Sequence, residues 1–514
     1  KNNIKATLHY DNKFGDHGVG LLAGWQDEDY WERWFSGSRR GFDLPGYDVL
    51  DAGAKDEQKA EGTGSEWALR SFFGRINYNY KERYLFEANI RYDGSSRFAK
   101  GHRWGLFPSF SGGWRISEEA FWEPLRSTFD NFKIRASWGQ LGNQNIGTYP
   151  FDSFVNLALP YVFNSSPYNG AALQAMANNR ISWEKTEMTN FGVDFTLFKN
   201  LQVTFDYYIK NTSDILLTLD VPKIIGLTAP YQNAGKVRNK GWELALNYGD
   251  KVNDFSYNIG FNLSDVKNKV IDLKGINSAD LVVNHEGYSM NSIYALEAIG
   301  FFTSEDQLNN HAKQYGNYSL GDIMYKDQLT IDTDGDGIPD EADGVINDDD
   351  KVIVGNSIPR FTFGLSTYLS WKNFDFNMLL QGVGKADGYL YSQAVMPFYL
   401  GGTATEGHKD YWSEDNPNAT YPRLAFNEPN NEKHSTFWMK NAAYLRVKNV
   451  QIGYNIPKKI LQNCGIQSTR IYVSGQNLFS FDSFWDGFDV ESAVGRGNHY
   501  PQVRSFSVGL DVKF

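Results

Sequence analysis

The stretch FFGRINYNYKERYLFEANIRY, residues 72–92, alternates in polarity on both sides of a short turn. Every second residue from Phe72 to Tyr80 is aromatic, aliphatic or glycine, and the residues between them include Arg75 and two asparagines. The alternation resumes at Tyr84 and continues to the end of the stretch. A period of two with one apolar face is the pattern of a half-buried β-strand. We therefore interpret this stretch as a β-hairpin.

The same alternation recurs along the whole chain and predicts an all-β fold with 15 strands. Short and long links alternate between these strands. Two links of medium length, 117–130 and 455–467, fall among the short ones, and a third, 94–103, falls among the long ones. The predicted strands lie near residues 3–11, 17–26, 68–80, 83–93, 104–116, 131–141, 181–197, 200–212, 238–249, 254–264, 358–371, 374–384, 441–454, 468–479 and 503–514.

This alternation of links separates two kinds of β-protein. The strands of a large soluble sandwich or propeller also alternate, but such a protein has no reason to collect its long loops at one end. Outer-membrane barrels have short periplasmic turns and long extracellular loops. We therefore predict a transmembrane antiparallel β-barrel whose longest link, residues 265–357, is extracellular. Such a barrel contacts outer-membrane lipid along its strands.

The predicted number of strands is odd, whereas single-chain bacterial barrels have even numbers. A barrel of about 22 strands, the size class with a plugged lumen, would leave about seven strands upstream. The sequence opens at Lys1 without a signal peptide and close to a predicted strand. We interpret residues 1–514 as the C-terminal part of a barrel whose plug domain and first strands are absent from this sequence.

The composition excludes several other classes of protein. Mean hydropathy is −0.49, and no apolar run approaches the roughly 18 residues that a membrane helix needs. The net charge of −11 argues against nucleic acid as a partner. The single cysteine, Cys464, excludes an intramolecular disulfide and a multi-cysteine metal site.

One acidic stretch, DTDGDGIPDEAD at residues 332–343, has the spacing of a calcium-binding loop. Alternating aspartates offer oxygen ligands to a hard cation, and Gly337 permits the sharp turn that the loop requires. Pro339 and the lack of flanking amphipathic helices argue against a complete EF-hand. We expect a structural Ca²⁺ that cross-links an otherwise flexible extracellular loop. The predicted ligands are Asp332, Asp334, Asp336, the carbonyl of Ile338, Asp340 and Asp343.

The sequence contains no recognisable catalytic motif, neither a nucleophile elbow nor a zinc-protease helix, P-loop or dinucleotide-binding loop. Its eight histidines are scattered, mostly in predicted loops. We expect no enzymatic activity, although sequence alone leaves a barrel-embedded hydrolase open because it does not show which side chains meet in space.

Several longer stretches form a set of motifs. They include RYDGSSRFAKGHRWGLFPSFSGGWRISEEAFW at 91–122, RASWGQLGNQNIG at 135–147 and WEKTEMTNFGVDF at 183–195. YQNAGKVRNKGWELALNY at 231–248 and RIYVSGQNLFSF at 470–481 follow. In sequence and in order, these motifs resemble the SusC/RagA family of TonB-dependent outer-membrane transporters. The resemblance covers most of the chain from about residue 65 onward, and as a set the motifs are highly specific.

The resemblance implies a barrel of 22 strands, plugged by an N-terminal domain and capped by a SusD-like surface lipoprotein. It implies import of oligosaccharides or, in some members, of peptides, with energy supplied through the TonB complex. The plug and the segment that contacts TonB would belong to the upstream part of the protein. A passive porin and a non-energised glycan-binding surface barrel remain the alternatives, and an upstream plug would exclude both.

Aromatic residues of the long links are the predicted substrate contacts, because their rings can stack on sugars. The same rings can instead pack loop against loop or against a lipoprotein. These residues are Trp31, Trp34, Tyr389, Phe398, Tyr399 and Trp412.

The chain ends on the alternating stretch FSVGLDVKF, residues 506–514. We expect its apolar residues to face lipid and the residues between them to face the lumen. The terminal phenylalanine resembles the signal by which barrel-assembly machinery recognises a last strand. The predicted lipid-facing assembly signal comprises Phe506, Val508, Leu510, Val512 and Phe514.

Overall fold

The computed structural model describes the chain except for residues 44, 48, 57, 220, 276–279, 394, 462–464 and 501, and except for the side chains of Ala158 and Lys223. Cys464 therefore lies outside the described residues.

One antiparallel sheet of 15 strands dominates the fold, and its strands pair in chain order. The number and order of the predicted strands are confirmed. The first and last strands, β1 and β15, form the two edges, so the sheet is open in this chain. The strands are β1 Asn2–Phe14, β2 His17–Ser38, β3 Lys59–Tyr80, β4 Tyr84–Ser95, β5 Trp104–Arg115, β6 Phe129–Asn143, β7 Glu184–Leu197, β8 Leu201–Thr218, β9 Tyr231–Val252, β10 Phe255–Asp272, β11 Arg360–Trp371, β12 Phe374–Lys385, β13 Tyr444–Asn455, β14 Ser468–Asp482 and β15 Ser505–Lys513.

Several strands continue further into the long links than the sequence predicts. The β2–β3 hairpin reaches Ser38 and Lys59, so most of the predicted loop 27–67 is a two-stranded ribbon. Strand β10 runs to Asp272, so the boundary predicted at residue 265 falls inside a strand. The physical reason is that a strand projecting beyond the membrane meets water on both faces, and its polarity no longer alternates.

The two faces of the sheet differ in chemistry. We call the face that carries Phe72, Ile76 and Ile90 the outward face; these side chains are 48%, 50% and 51% exposed. The inward face carries ion pairs across neighbouring strands. Arg135 on β6, for example, donates to both Asp194 on β7 and Asp206 on β8. An apolar outward face and a polar inward face are the pattern of a membrane barrel.

Two rows of aromatic residues bound the apolar part of the outward face. At the short-turn end, the ring centroids of Tyr80 and Tyr84 lie 6.3 Å apart. At the long-link end, the rings of Tyr92 and Trp104 stack at 4.7 Å. On β4 the two rows are eight residues apart, or about 26 Å along the strand at about 3.3 Å per residue. This spacing fits interfacial girdles on either side of an apolar band.

The links carry short elements. None of the helices in the described part of the chain is long and apolar enough to cross a membrane. The α-helices are Glu305–Asn310 and Lys458–Leu461, and the 3₁₀ helices are Leu50–Ala52, Ile116–Glu118, Ala120–Leu125, Lys223–Ile225, Asp348–Asp350, Tyr399–Gly401, Glu406–Lys409, Thr436–Trp438 and Val490–Ser492. The link strands are Val155–Phe163, Ser166–Leu173, Val282–Val283, Ser292–Ala295, Ala298–Phe301, Ile323–Tyr325, Leu329–Ile331, Glu341–Ala342, Val352–Asn356, Asp387–Leu390, Met439–Asn441 and Val494–Gly495.

Three long links fold together into one unit, which we call the cap: the described residues of 273–359, 386–443 and 483–504. Their shared core buries Tyr325, Tyr389 and Trp438 completely. Backbone hydrogen bonds join the links as well, since the N–H of Tyr389 donates to the carbonyl of Ala493 at 2.7 Å. The expectation of a flexible loop in 265–357 is therefore wrong, because this segment packs around a buried apolar core.

Candidate functional site

The inward face forms a wall that carries many polar groups. A cavity of about 410 Å³ lies near the short-turn end of β3–β7. A second cavity of about 410 Å³ lies across β8–β12 and is lined by groups that include Asp206, Glu243 and Gln381. Polar lining groups of the first cavity include Asn77, Asn79, Glu87, Lys133, Arg135 and Asn190. Amide, carboxylate and cationic groups on one surface can bind a ligand rich in hydrogen-bonding groups.

The β2–β3 ribbon places its aromatic residues on both faces. Trp34 lies on the inward face and Trp31 on the outward face, because neighbouring residues of a strand alternate in direction. Their side chains are 48% and 61% exposed. Sequence reasoning missed Tyr30 and Trp67, which pair across the ribbon on the inward face and stack at 5.6 Å. The pairing of Tyr30 with Trp67 follows from the register of the β2–β3 hairpin, and this register is known only when the positions of both strands are known.

Two of the predicted substrate contacts are buried in the cap. Tyr389 is 0% exposed, and its hydroxyl contacts Nδ1 of His434 at 3.2 Å and accepts the N–H of Ser435 at 3.0 Å. Trp412 is 7% exposed and covers Gly321, where an added Cβ would lie 2.1 Å from the indole. The prediction for these two residues is wrong for this fold, because neither ring has a free face for a sugar.

The other two predicted contacts in the cap are partly accessible. Phe398 and Tyr399 are half-buried, and Phe398 packs edge-on against Phe426 at 5.9 Å. Their role in substrate binding stays a prediction.

Residues 332–340 of the acidic stretch form the tip of a small hairpin whose strands are Leu329–Ile331 and Glu341–Ala342, and Asp343 follows the second strand. Carboxylate oxygens of Asp332, Asp334 and Asp336 all lie within 4.8 Å of one another. The backbone N–H groups of Gly337 and Gly335 donate to Asp332 and lower its pKa. The structure therefore brings together the carboxylates of the first three predicted ligands.

The remaining predicted ligands are engaged differently. Asp340 accepts hydrogen bonds from the hydroxyl and N–H of Thr333, and Asp343 accepts the N–H of Val345. Neither carboxylate belongs to the cluster of three. The side chain of Ile338 is 67% exposed, and the ligand role of its carbonyl stays a prediction.

The family model described as TonB dependent receptor-like, beta-barrel matches residues 2–478. The chain belongs to this family. Its members are outer-membrane barrels, and the outer membrane is where this chain resides.

Curated relatives agree with the family match. The chain is 31% identical over 538 residues to TonB-dependent receptor P3 of Formosa agariphila, covering 99% of this chain and 52% of that protein. It is 28% identical over 527 residues to TonB-dependent receptor SusC of Bacteroides thetaiotaomicron, covering 99% of this chain and 49% of that protein. The chain thus spans about half the length of the curated relatives it matches.

A solved structure, that of the RagAB peptide transporter, shares the fold with a TM-score of 0.84 at 23% identity. The alignment covers 100% of this chain and 55% of that chain. The matched proteins are named as receptors and transporters.

The last strand of this family member presents its apolar residues outward. Phe506, Val508, Leu510 and Phe514 are 74%, 79%, 63% and 82% exposed, and Val512 is half-buried. On the inward face, a carboxylate oxygen of Asp511 lies 3.7 Å from Arg470. The predicted alternation of this strand matches the structure, and its role as an assembly signal stays a prediction.

Proposed function

We propose that the full-length protein is a TonB-dependent importer of oligosaccharides that works with a SusD-like surface lipoprotein. The observation that carries the proposal is the polar inward face of a sheet of this family, with exposed aromatic rings at its extracellular end. Hydroxyl-rich ligands suit a wall of amides and carboxylates, and aromatic rings add apolar contact area with few degrees of freedom.

The ribbon rim supplies the aromatic part of this proposed site. Tyr30, Trp34 and Trp67 share the inward face of the ribbon, which is the face that continues into the polar wall. A ligand that enters the lumen from outside passes this face first. We therefore assign the first substrate contact to Trp34 and the Tyr30–Trp67 pair.

This chain and the upstream part of the protein would supply different parts of the proposed transporter. The strands and the cap form the wall and the outer surface, whereas the plug and the TonB-contacting segment would belong to the upstream part of the protein. The packed cap offers a preformed surface to a lipoprotein, because its links share one buried core.

Peptide import is the second candidate. RagAB is named a peptide transporter, and this chain shares its fold. A wall that carries carboxylates, guanidinium groups and amides also suits the backbone and charged termini of a peptide.

The test is ligand capture by the complete transporter, purified together with its lipoprotein. The complex is incubated with a mixture of oligosaccharides and with a mixture of peptides. Mass spectrometry then identifies the ligand that stays bound. We expect oligosaccharides to be retained, and Trp34→Ala to weaken retention by about tenfold, since a stacked ring contributes on the order of 1.4 kcal/mol. Trp31→Ala is the matched control: Trp31 lies on the outward face, contrary to the substrate contact that the sequence predicts for it, and its removal should leave retention unchanged. Retention of peptides alone would reject the first candidate in favour of the second.

We propose in addition that the loop 332–343 binds a structural Ca²⁺. Three carboxylates held within 4.8 Å of one another repel unless a cation lies between them. Carboxylate oxygens are the ligands that Ca²⁺ prefers, and extracellular calcium modules work at millimolar affinity. The ion would fix the tip of the hairpin rather than hold the whole link, because the rest of the cap is already packed.

A further inference from the structure

Three side chains lie side by side on the inward face at the long-link end of the sheet. Tyr30 of β2 stacks on Trp67 of β3, with the ring centroids 5.6 Å apart and the ring planes inclined by 22°. The guanidinium carbon of Arg97, which follows the end of β4, lies 5.2 Å from the centroid of the Trp67 ring. The indole therefore contacts an aromatic ring and a cation at the same time.

The pairing of β3 with β4 places these two contacts on opposite sides of the indole. The N–H of Ser96 donates to the carbonyl of Ala68 at 2.9 Å, and the N–H of Ala68 donates to the hydroxyl of Ser96 at 2.9 Å. This register brings Arg97 level with Trp67, just as Tyr30 is level with Trp67 on the other side. Because β2 and β4 are the two neighbours of β3, Tyr30 and Arg97 cover opposite faces of the ring.

Arg97 is fixed by packing rather than by an ion pair. Phe98, the next residue, is 0% exposed in a small core formed at this end of the sheet. Nη1 of Arg97 donates to the carbonyl of Ile146, which belongs to the same core. No carboxylate of the described residues pairs with Arg97, and its buried Nε has no acceptor among them. A guanidinium without a carboxylate partner keeps its full attraction for the face of an aromatic ring.

The covered indole presents only its edge to the lumen. With both faces occupied, the ring of Trp67 has no free face on which a ligand could stack, in contrast to Trp34, which is 48% exposed. Trp67 is half-buried, so part of its edge remains accessible. Within the part of the chain that the structure describes, its Nε1–H has no acceptor. An indole N–H can only donate, so its partner in a ligand is an oxygen acceptor.

We propose that Arg97 is a positioning residue of the substrate site. It holds Trp67 edge-on, so that Nε1 donates a hydrogen bond to a hydroxyl or ether oxygen of the ligand while Trp34 supplies the stacking face. A ring that is already fixed before the ligand arrives loses little conformational entropy on binding. This role rests on the proposed function, because the ligand is the imported substrate.

Fluorine NMR of the full-length protein labelled with 5-fluorotryptophan measures the surroundings of Trp67 without any ligand. The resonance is assigned by its loss in Trp67→Phe. We expect Arg97→Met to shift this resonance, because one face of the indole loses its cation, and Arg97→Lys to restore most of the original shift. The matched control is Arg33→Met, because the guanidinium of Arg33 lies 5.8 Å from the centroid of the Trp31 ring on the outward face of the same ribbon. It should leave the Trp67 resonance unchanged.

Ligand retention by the complete transporter with its lipoprotein is the second measurement, with the mixture of oligosaccharides as the probe. We expect retention to fall about fivefold in Arg97→Met, which corresponds to the loss of one partly buried cation–π contact. Trp67→Phe should weaken retention to a similar degree, because it keeps a ring but lacks the N–H. Arg97→Gln keeps a donor for the carbonyl of Ile146 and should be as weak as Arg97→Met, whereas Arg33→Met should retain the ligand.

All variants are first checked for a folded barrel by heat-modifiable gel migration. An unchanged Trp67 resonance in Arg97→Met would overturn the proposal. Full retention by Arg97→Gln would also overturn it, because Arg97 would then serve only the hydrogen bond to Ile146. If the unaltered transporter retains peptides alone, oligosaccharide import fails, and the variants are compared on those peptides, whose carbonyls also accept hydrogen bonds. The same order of retention would then support the role of Arg97, and equal retention would reject it.

Discussion

The carboxylate of Asp322 holds two links of the cap together, and its removal should open the cap locally. Its side chain is 0% exposed and accepts hydrogen bonds from Arg423 at 2.6 Å and from Asn431 at 2.7 Å. A third donor is the N–H of Ser319 at 2.8 Å. Asp322→Ala therefore leaves three donors without an acceptor, two of them on the link 386–443.

The size of the effect follows from the burial of the partners. Removing one member of a buried ion pair costs about 3–5 kcal/mol. The side chain of Arg423 is 30% exposed and can be rehydrated, so we expect the lower end of this range, about 3 kcal/mol. Local opening should then become about 100-fold more frequent, since about 1.4 kcal/mol corresponds to a factor of ten.

Hydrogen exchange measured by mass spectrometry on the full-length protein is the assay. The peptides to follow cover residues 319–325 and 423–431, which include the N–H of Ile323, a donor to Asn431 at 2.9 Å. Asp306→Ala is the control, because Asp306 is exposed on a helix of the same link and should change stability by less than about 0.5 kcal/mol. Equal exchange in both variants would refute the role of Asp322 in joining the links.

Three further predictions concern other parts of the chain. Chelation of calcium should increase protease cutting at residues 329–343 and leave the rest of the cap and the sheet uncut. Asp334→Asn should abolish the protection of this loop by calcium. Identical cleavage with and without chelator would exclude the ion. Burial lowers the pKa of His408 below its ordinary value of 6.5. Below that pH, His408 therefore binds a proton in the unfolded cap that it does not bind in the folded cap. Stability should fall by up to about 1 kcal/mol as the pH drops from 6.5 to 5.5, and His408→Gln should show a smaller fall in cap protection once intrinsic exchange rates are corrected. Deletion of Phe514 should impair insertion into the outer membrane more than Lys513→Ala, as measured by the fraction of folded barrel, and equal insertion would count against an assembly signal.

The strand number and order follow from the sequence because a membrane strand obeys a local rule. Each strand must alternate between lipid and lumen, so its polarity repeats with a period of two. The rule ends where the strand leaves the membrane, which is why the sequence predicts a loop for the part of the β2–β3 ribbon beyond Gln26 and Ala68. The clustering of Asp332, Asp334 and Asp336 was predictable for the same reason, since their spacing is set within a single turn.

The cap was not predictable, because its contacts join residues far apart in the chain. The hydroxyl of Tyr325 donates to the carbonyl of Asn430 at 2.6 Å across a separation of 105 residues. The sequence predicts Tyr389 and Trp412 as substrate contacts because the residues that bury them are distant in the chain. Nothing local in the sequence distinguishes an aromatic ring that packs inward from one that contacts a ligand.

The sequence by itself determined the family, the antiparallel strands, their two-faced chemistry and the acidic trio. Each of these depends on residues that are neighbours in the chain. The tertiary structure alone decided which aromatic residues remain accessible and where Tyr30 and Trp67 meet. These features depend on strand register and on long-range packing, and both are fixed only when the whole sheet has formed.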